Sequence, residues 1–193
     1  MLRRLYDWTL SLAAHRHAPA ALAGVSFIES SVFPIPPDVL LIPMVLARRA
    51  KAWAYAALCT AASVAGGVAG YLIGWLLFDA LGRPILELYG YGDKFGEFAA
   101  QYNDWGAWIV FIAGVTPFPY KVITIASGVT QLDFLVFLAA SIAARGLRFF
   151  AVAALLYKFG PPVQAFIEKR LGLVFTVGVV LLIGGFAAVR LFL

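Results

Sequence analysis

Five charged residues stand where charge is expensive. Glu29, Asp38, Lys121, Arg145 and Arg148 all fall inside long apolar stretches, and each costs on the order of 2.5–3.5 kcal/mol at the centre of a membrane helix. They are not expected to face lipid. Arg145 and Arg148 lie three residues apart and share a helix face, and arginine can grip phosphate oxygens in a bidentate way. Two acids against three bases leave one positive charge over, which a bound phosphate would balance. A carboxylate in low dielectric titrates upward and can carry a proton. The expected chemistry is reversible binding of a phosphate-bearing group by Lys121, Arg145, Arg148 and Thr116, with Glu29 and Asp38 as proton-coupling groups. A plainer arrangement uses the same residues as an ion-pair network, Asp38 with Lys121 and Glu29 with an arginine, that only locks the structure.

Two of the five charges follow proline clusters that repeat one frame. Phe33-Pro34-Ile35-Pro36-Pro37-Asp38-Val39-Leu40 returns as Thr116-Pro117-Phe118-Pro119-Tyr120-Lys121-Val122-Ile123. Pro34 answers to Pro117, Pro36 to Pro119 and Asp38 to Lys121, an acid exchanged for a base. Prolines remove backbone donors and break helices, and unpaired backbone in hydrocarbon costs several kcal/mol per group. Broken apolar segments at matching positions of two halves point to a transporter-type binding site. The prolines also place Asp38 and Lys121 near the start of a following half-helix. Asp38 suits the positive end of that dipole; Lys121 does not, unless an anion shares the site.

The elements that must carry these residues follow from composition. Of 193 residues, 63% are hydrophobic and 13% charged, and mean hydropathy is +0.90. A soluble domain carries about 25% charged residues, so this is an integral membrane protein. The net charge of +5 sits in short clusters beside apolar runs, as the positive-inside rule and anionic lipid explain. The segment from residue 82 to 104 is acidic and rich in aromatics, an interfacial connector and not a nucleic-acid surface. Cys59 is the only cysteine, so no intrachain disulfide forms, and it reads as a small packing residue. His15 and His17 lie outside the apolar core and no His/Cys cluster has metal spacing. Neither metal nor other cofactor is expected. Intramembrane hydrolysis would need a nucleophile with a base or metal, so an enzyme is not expected either.

Leu2, Leu5, Trp8 and Leu12 recur at helical spacing, suggesting a short surface helix. Residues 18–47 form the first broken segment, closed by Arg48, Arg49 and Lys51. Trp53 to Leu81 is long enough to cross the roughly 30 Å core, with Ala62, Gly66, Gly70 and Gly74 on one side for close packing. Residues 105–129 form the second broken segment, Phe134 to Tyr157 can span, and residues 171–193 make a last span. If both broken segments are re-entrant, nearly all the basic clusters fall on one face, which the positive-inside rule favours. The expected fold is all-α integral membrane in one domain: an inverted repeat of re-entrant hairpin plus transmembrane helix, 18–81 and 105–157, with the extra helix at 171–193. On that count the C-terminus lies outside the cell.

Glu29 with Pro-x-Pro-x-Asp at 34–38, Gly-Tyr-Leu-Ile-Gly at 70–74, Trp-Gly-x-x-x-Val-Phe at 105–111, Thr-Pro-Phe-Pro-Tyr-Lys from 116 and Ala-Ser-Gly-Val at 126–129 together resemble the DedA membrane protein family. This is the SNARE-associated Golgi, or VTT-domain, group, and the wording from Thr116 to Val122 looks closest to its short bacterial YqaA-like branch. The resemblance implies a multi-pass protein of the cytoplasmic membrane with two re-entrant hairpins in an inverted repeat. It implies a flippase or scramblase moving a phospholipid or undecaprenyl phosphate between leaflets, in some members dependent on proton motive force. By position Glu29 and Asp38 match the family's essential membrane acids. The family usually has two arginines flanking the second proline turn; here Gly114 stands near the first and Tyr120-Lys121 near the second, leaving Arg145 and Arg148 to compensate. The expected partners are membrane lipids with an anionic or phosphate head group, no nucleic acid, and a second copy of the chain as a candidate. A proton- or ion-coupled carrier for a small solute is the competing reading of the same acids.

Overall fold

The computed structural model describes residues 17–32, 36–88, 92–116 and 118–169. The expected surface helix near the N-terminus, the expected last span and residues Pro34 and Pro117 lie outside them. Among the described residues every regular element is helical and none is a strand.

The first broken segment forms α1 (Ala18–Ser31) and α2 (Asp38–Ala47). Pro19 lies in the first turn of α1, where its missing N–H would be unpaired anyway. Pro37 is the N-cap of α2 and its carbonyl accepts the Leu41 N–H at 2.9 Å. A 3-10 turn, Arg49–Lys51, leads into α3 (Ala52–Leu77). A wider turn at Phe78–Gly82, then α4 (Arg83–Leu88) and α5 (Gly92–Asp104), make the connector. The second broken segment forms α6 (Gly106–Val115) and α7 (Tyr120–Val129). Helix α6 ends because Thr116 precedes a proline, which excludes helical backbone; Thr116 is extended, with φ −79° and ψ 166°.

Helix α7 stops in a Schellman turn. The Leu132 N–H reaches the Ser127 carbonyl at 2.9 Å and the Gln131 N–H reaches Gly128 at 3.1 Å, with Gln131 left-handed at φ 55°. One residue later the Asp133 carboxylate accepts the Val136 N–H at 2.9 Å, capping α8 (Phe134–Lys169). Phe159 departs from helical geometry, φ −113° and ψ 18°, just before Pro161 and Pro162. Pro161 cannot donate to the Tyr157 carbonyl one turn back, and the Arg49 guanidinium supplies that donor instead.

Among the described residues two helices are long and apolar enough to cross a membrane, Arg49–Leu77 and Phe134–Gly160, and they pack on each other. The four limbs of the two broken segments distribute evenly over them. Limb α1 packs on α3 and limb α6 on α8, while α7 packs on α3 and α2 on α8. The glycine face of α3 makes this possible. A side chain at Gly66 would meet the Phe27 carbonyl oxygen of α1 at 2.1 Å, and one at Gly74 the Ile125 carbonyl oxygen of α7 at 2.1 Å. Both broken segments therefore lie with backbone against backbone on α3.

The ends of each broken segment come back together. Ala18 and Leu22 of α1 share one buried cluster with Met44 and Val45 of α2 and with Ala52 and Tyr55 at the start of α3. Gly106 at the start of α6 abuts Leu132, just past the end of α7. That second meeting point lies by Tyr71 on the far half of α3, whose hydroxyl donates to the Leu132 carbonyl at 2.6 Å.

Candidate functional site

The prolines write the first part of the site. Ser30 and Val32 at the end of α1 would ordinarily receive helical N–H donors from residues 34 and 36, but both are prolines and have none. Their carbonyls are satisfied from the other broken segment. The Thr124 hydroxyl shares its proton between the Ser30 carbonyl at 3.1 Å and the Lys121 carbonyl of its own helix at 2.9 Å, and the Lys121 ammonium donates to the Val32 carbonyl at 3.1 Å. Lys121 is thus a cation at the negative end of α1, a favourable place for it. Although Lys121 stands at the start of α7, its charge is drawn across to α1. It does not pair with Asp38: of the plainer ion-pair network, Glu29 does meet an arginine, but Asp38 is taken by Arg148 and not by Lys121.

Arg145, in the middle of α8, is the largest fully buried side chain among the described residues, with 0% exposure. Its Nη2 donates to Glu29 Oε2 at 2.7 Å and its Nε to Ser63 Oγ at 2.5 Å. Ser30 Oγ donates to the same Glu29 oxygen at 3.0 Å, and Ser30 and Ser63 are 2.6 Å apart. A hydroxyl has one proton to give, so Ser63 must donate to Ser30. The result is a closed ring, Arg145 to Ser63 to Ser30 to Glu29, with every donor pointing toward the carboxylate. The guanidinium is held between two rings, its carbon 4.7 Å from the centre of Tyr120 and 4.8 Å from Phe149. The Tyr120 hydroxyl donates to Ser141 at 2.5 Å. Only Nη1 lacks a hydrogen-bond partner.

Arg148, one turn further on, is held more loosely. Its Nη2 donates to Asp38 Oδ2 at 2.6 Å and its Nη1 to the Thr116 carbonyl at 3.2 Å. Arg148 and Asp38 keep 19% and 22% of their side chains exposed, whereas the buried pair keeps 0% and 13%. Arg148 therefore spans the two breaks, joining the start of α2 to the end of α6. A partly exposed, salt-bridged guanidinium can trade its partner for a phosphate oxygen; a sealed one cannot without opening the core.

All five charges expected at the centre are gathered here, together with Thr116 and the turn residues Pro36, Pro37 and Pro119 that are described. Ser30, Ser63, Thr124, Tyr120 and Ser141 were not among the expected site residues. Apart from Tyr120, which falls in the second proline frame, their only signal in the chain is that small polar side chains recur on apolar helices, where they hydrogen-bond between helices. Gly114 packs its Cα face on Ala144 beside Arg145, where a side chain would meet the Ala144 methyl at 2.6 Å. No cluster of metal-ligating residues exists among the described residues.

The chain is 38% identical over 170 residues to an uncharacterized protein of Haemophilus influenzae (strain ATCC 51907 / DSM 11121 / KW20 / Rd), covering 88% of each. It is 38% identical over 151 residues to the Histophilus somni protein described as an uncharacterized HI0703 homolog, covering 78% of each. No solved structure matches it. The VTT domain model matches residues 35–158, a stretch that runs from the first proline turn past both arginines of α8. With two long apolar helices among its described residues, the chain belongs to the VTT-domain (DedA) family, membrane proteins associated with transport or lipid-related functions.

Proposed function

We propose that this protein is a lipid flippase or scramblase of the cytoplasmic membrane, moving a phosphate-bearing lipid between leaflets. The observation that carries the reading is Arg148, part-exposed, bonded to Asp38 of one broken segment and to Thr116 of the other. A phosphate arriving there competes with Asp38 for the guanidinium. Lys121 lies on the same seam, Arg145 stands behind as the group that holds Glu29, and the freed Asp38 carboxyl is available to take a proton. Coupling to proton movement and membership of the YqaA-like branch belong to this proposal.

Two re-entrant hairpins in an inverted repeat suit the contacts. Each broken segment returns to the level at which it starts, and its limbs of 10 to 14 residues measure about 15–21 Å at 1.5 Å per residue. That is about half to two-thirds of the roughly 30 Å core, too short to cross it. The exchange of packing partners between α3 and α8 is what a two-fold relation between the halves produces. Irregular backbone is tolerated at membrane depth only where protein covers it or a cavity holds it, and the cross-donation to Ser30 and Val32 meets that condition.

The test is leaflet exchange of fluorescent phospholipid and of polyprenyl phosphate in reconstituted vesicles. Arg148→Gln is expected to slow exchange about tenfold or more, the worth of a charge-assisted hydrogen bond. Unchanged exchange in that variant removes the head-group assignment. Solute or proton flux with no lipid movement in the unaltered protein replaces the reading by the small-solute carrier.

A further inference from the structure

A cavity of about 710 Å³ lies between α5, α6 and α7, lined by Phe98, Trp108, Ile112 and Ile123 among others and ending at Thr116 and Phe118. Its wall is mainly apolar, with the amide of Gln101 on the α5 side; the Tyr102 hydroxyl is held by Ser127 at 3.1 Å and the Thr116 hydroxyl faces the Ala113 carbonyl at 3.5 Å. Its outer side is open, with Trp108 61% and Ile112 57% exposed. The groove runs beside the ten residues of α6, about 15 Å at the helical rise and half the thickness of a hydrocarbon core of roughly 30 Å. At its inner end is Thr116, whose carbonyl holds Arg148. An apolar trough one leaflet deep thus begins at the residue that touches the part-exposed cation.

We infer that this groove holds one acyl chain of a bilayer phospholipid whose phosphate lies at Arg148, the chain running from the second break along α6 toward Trp105. This rests on the head-group reading above and adds the path of the tail. Within a bilayer there is no hydrophobic gain in moving a chain from lipid to an apolar groove. The groove therefore selects by shape and continuity, and its occupancy is set by the phosphate contact at its end. That separates it from the ordinary lipid-facing surface of α8, for example at Leu135, which is 71% exposed.

A photoreactive benzophenone amino acid is placed at Ile112 or, separately, at Leu135, in the full-length protein reconstituted in phosphatidylethanolamine and phosphatidylglycerol vesicles. Illumination followed by mass spectrometry of the intact protein identifies what is captured. Phospholipid capture at 112 several-fold above that at 135, and lowered to the level of 135 by Arg148→Gln, is the expected result. Equal capture at the two positions, or capture at 112 that Arg148→Gln leaves unchanged, overturns the inference. So does a peptide of this chain or a second copy caught at 112, and so does loss of phospholipid capture on adding polyprenyl phosphate in trace amount. Leaflet exchange is measured on the same vesicles. Selective, Arg148-dependent capture without exchange keeps the groove and sinks the transport reading, whereas exchange with equal capture does the reverse.

Discussion

Arg145 and Arg148 differ by one helical turn and by almost everything else. Arg145 is sealed between two aromatic rings and a ring of hydroxyls, so removing the charge of its partner leaves a buried cation unpaired. Glu29→Gln is expected to destabilise the protein by about 3–5 kcal/mol, the usual penalty for breaking a buried pair, seen as a lowered thermal midpoint in detergent. Asp38→Asn breaks a pair that keeps about a fifth of each side chain exposed and is expected to cost about 1 kcal/mol or less, while lipid exchange falls. Equal thermal midpoints for the two variants would contradict the division into a structural and an exchangeable pair.

At the scale of elements, small residues and caps set the geometry that brings the charges together. Gly74 takes the Ile125 carbonyl of α7 against its Cα, so Gly74→Ala must push α7 away from α3. Overpacking of this kind costs about 1–3 kcal/mol, and thermal unfolding of the purified variant checks it. Because α7 carries Thr124 and Lys121, the same variant is expected to weaken the donation to Ser30 and Val32. Asp133→Ala removes the side-chain cap of α8 and is expected to cost about 1 kcal/mol without changing exchange, since the cap lies beyond the far end of α7. A large loss of exchange at constant stability in that variant would mean the turn does more than end a helix.

For the whole molecule the decisive question is which side each broken segment enters from. In a background with Cys59, which is buried, replaced by serine, single cysteines at Lys51 and Gln131 mark the turns that close the two segments, and both positions are exposed. An impermeant thiol reagent is expected to reach one of them only from outside the cell and the other only after the membrane is opened. Labelling of both from the same side rules out the inverted repeat and with it the meeting of the two breaks at the bilayer centre.

Much of this was legible in the chain because it depends on local rules. Charge scarcity and apolar length dictate membrane helices, and the helix breaks follow from proline alone, since no neighbour can restore a missing N–H. Gly66, Gly70 and Gly74 fall on one face by periodicity, and that face does carry the close approaches. Partner choice was not legible. Whether Asp38 meets Lys121 or Arg148 depends on which helix each broken limb leans against, and α2 leans on α8 while α7 leans on α3. The same is true of Ser30, Ser63 and Thr124: a serine in an apolar run looks alike whether it faces lipid or closes a ring around a buried arginine. By itself the sequence determined that two proline breaks and five charges had to be hidden from hydrocarbon. Only tertiary structure decided which charge was sealed and which stayed partly exposed, because desolvation and pairing are properties of contacts between segments far apart in the chain.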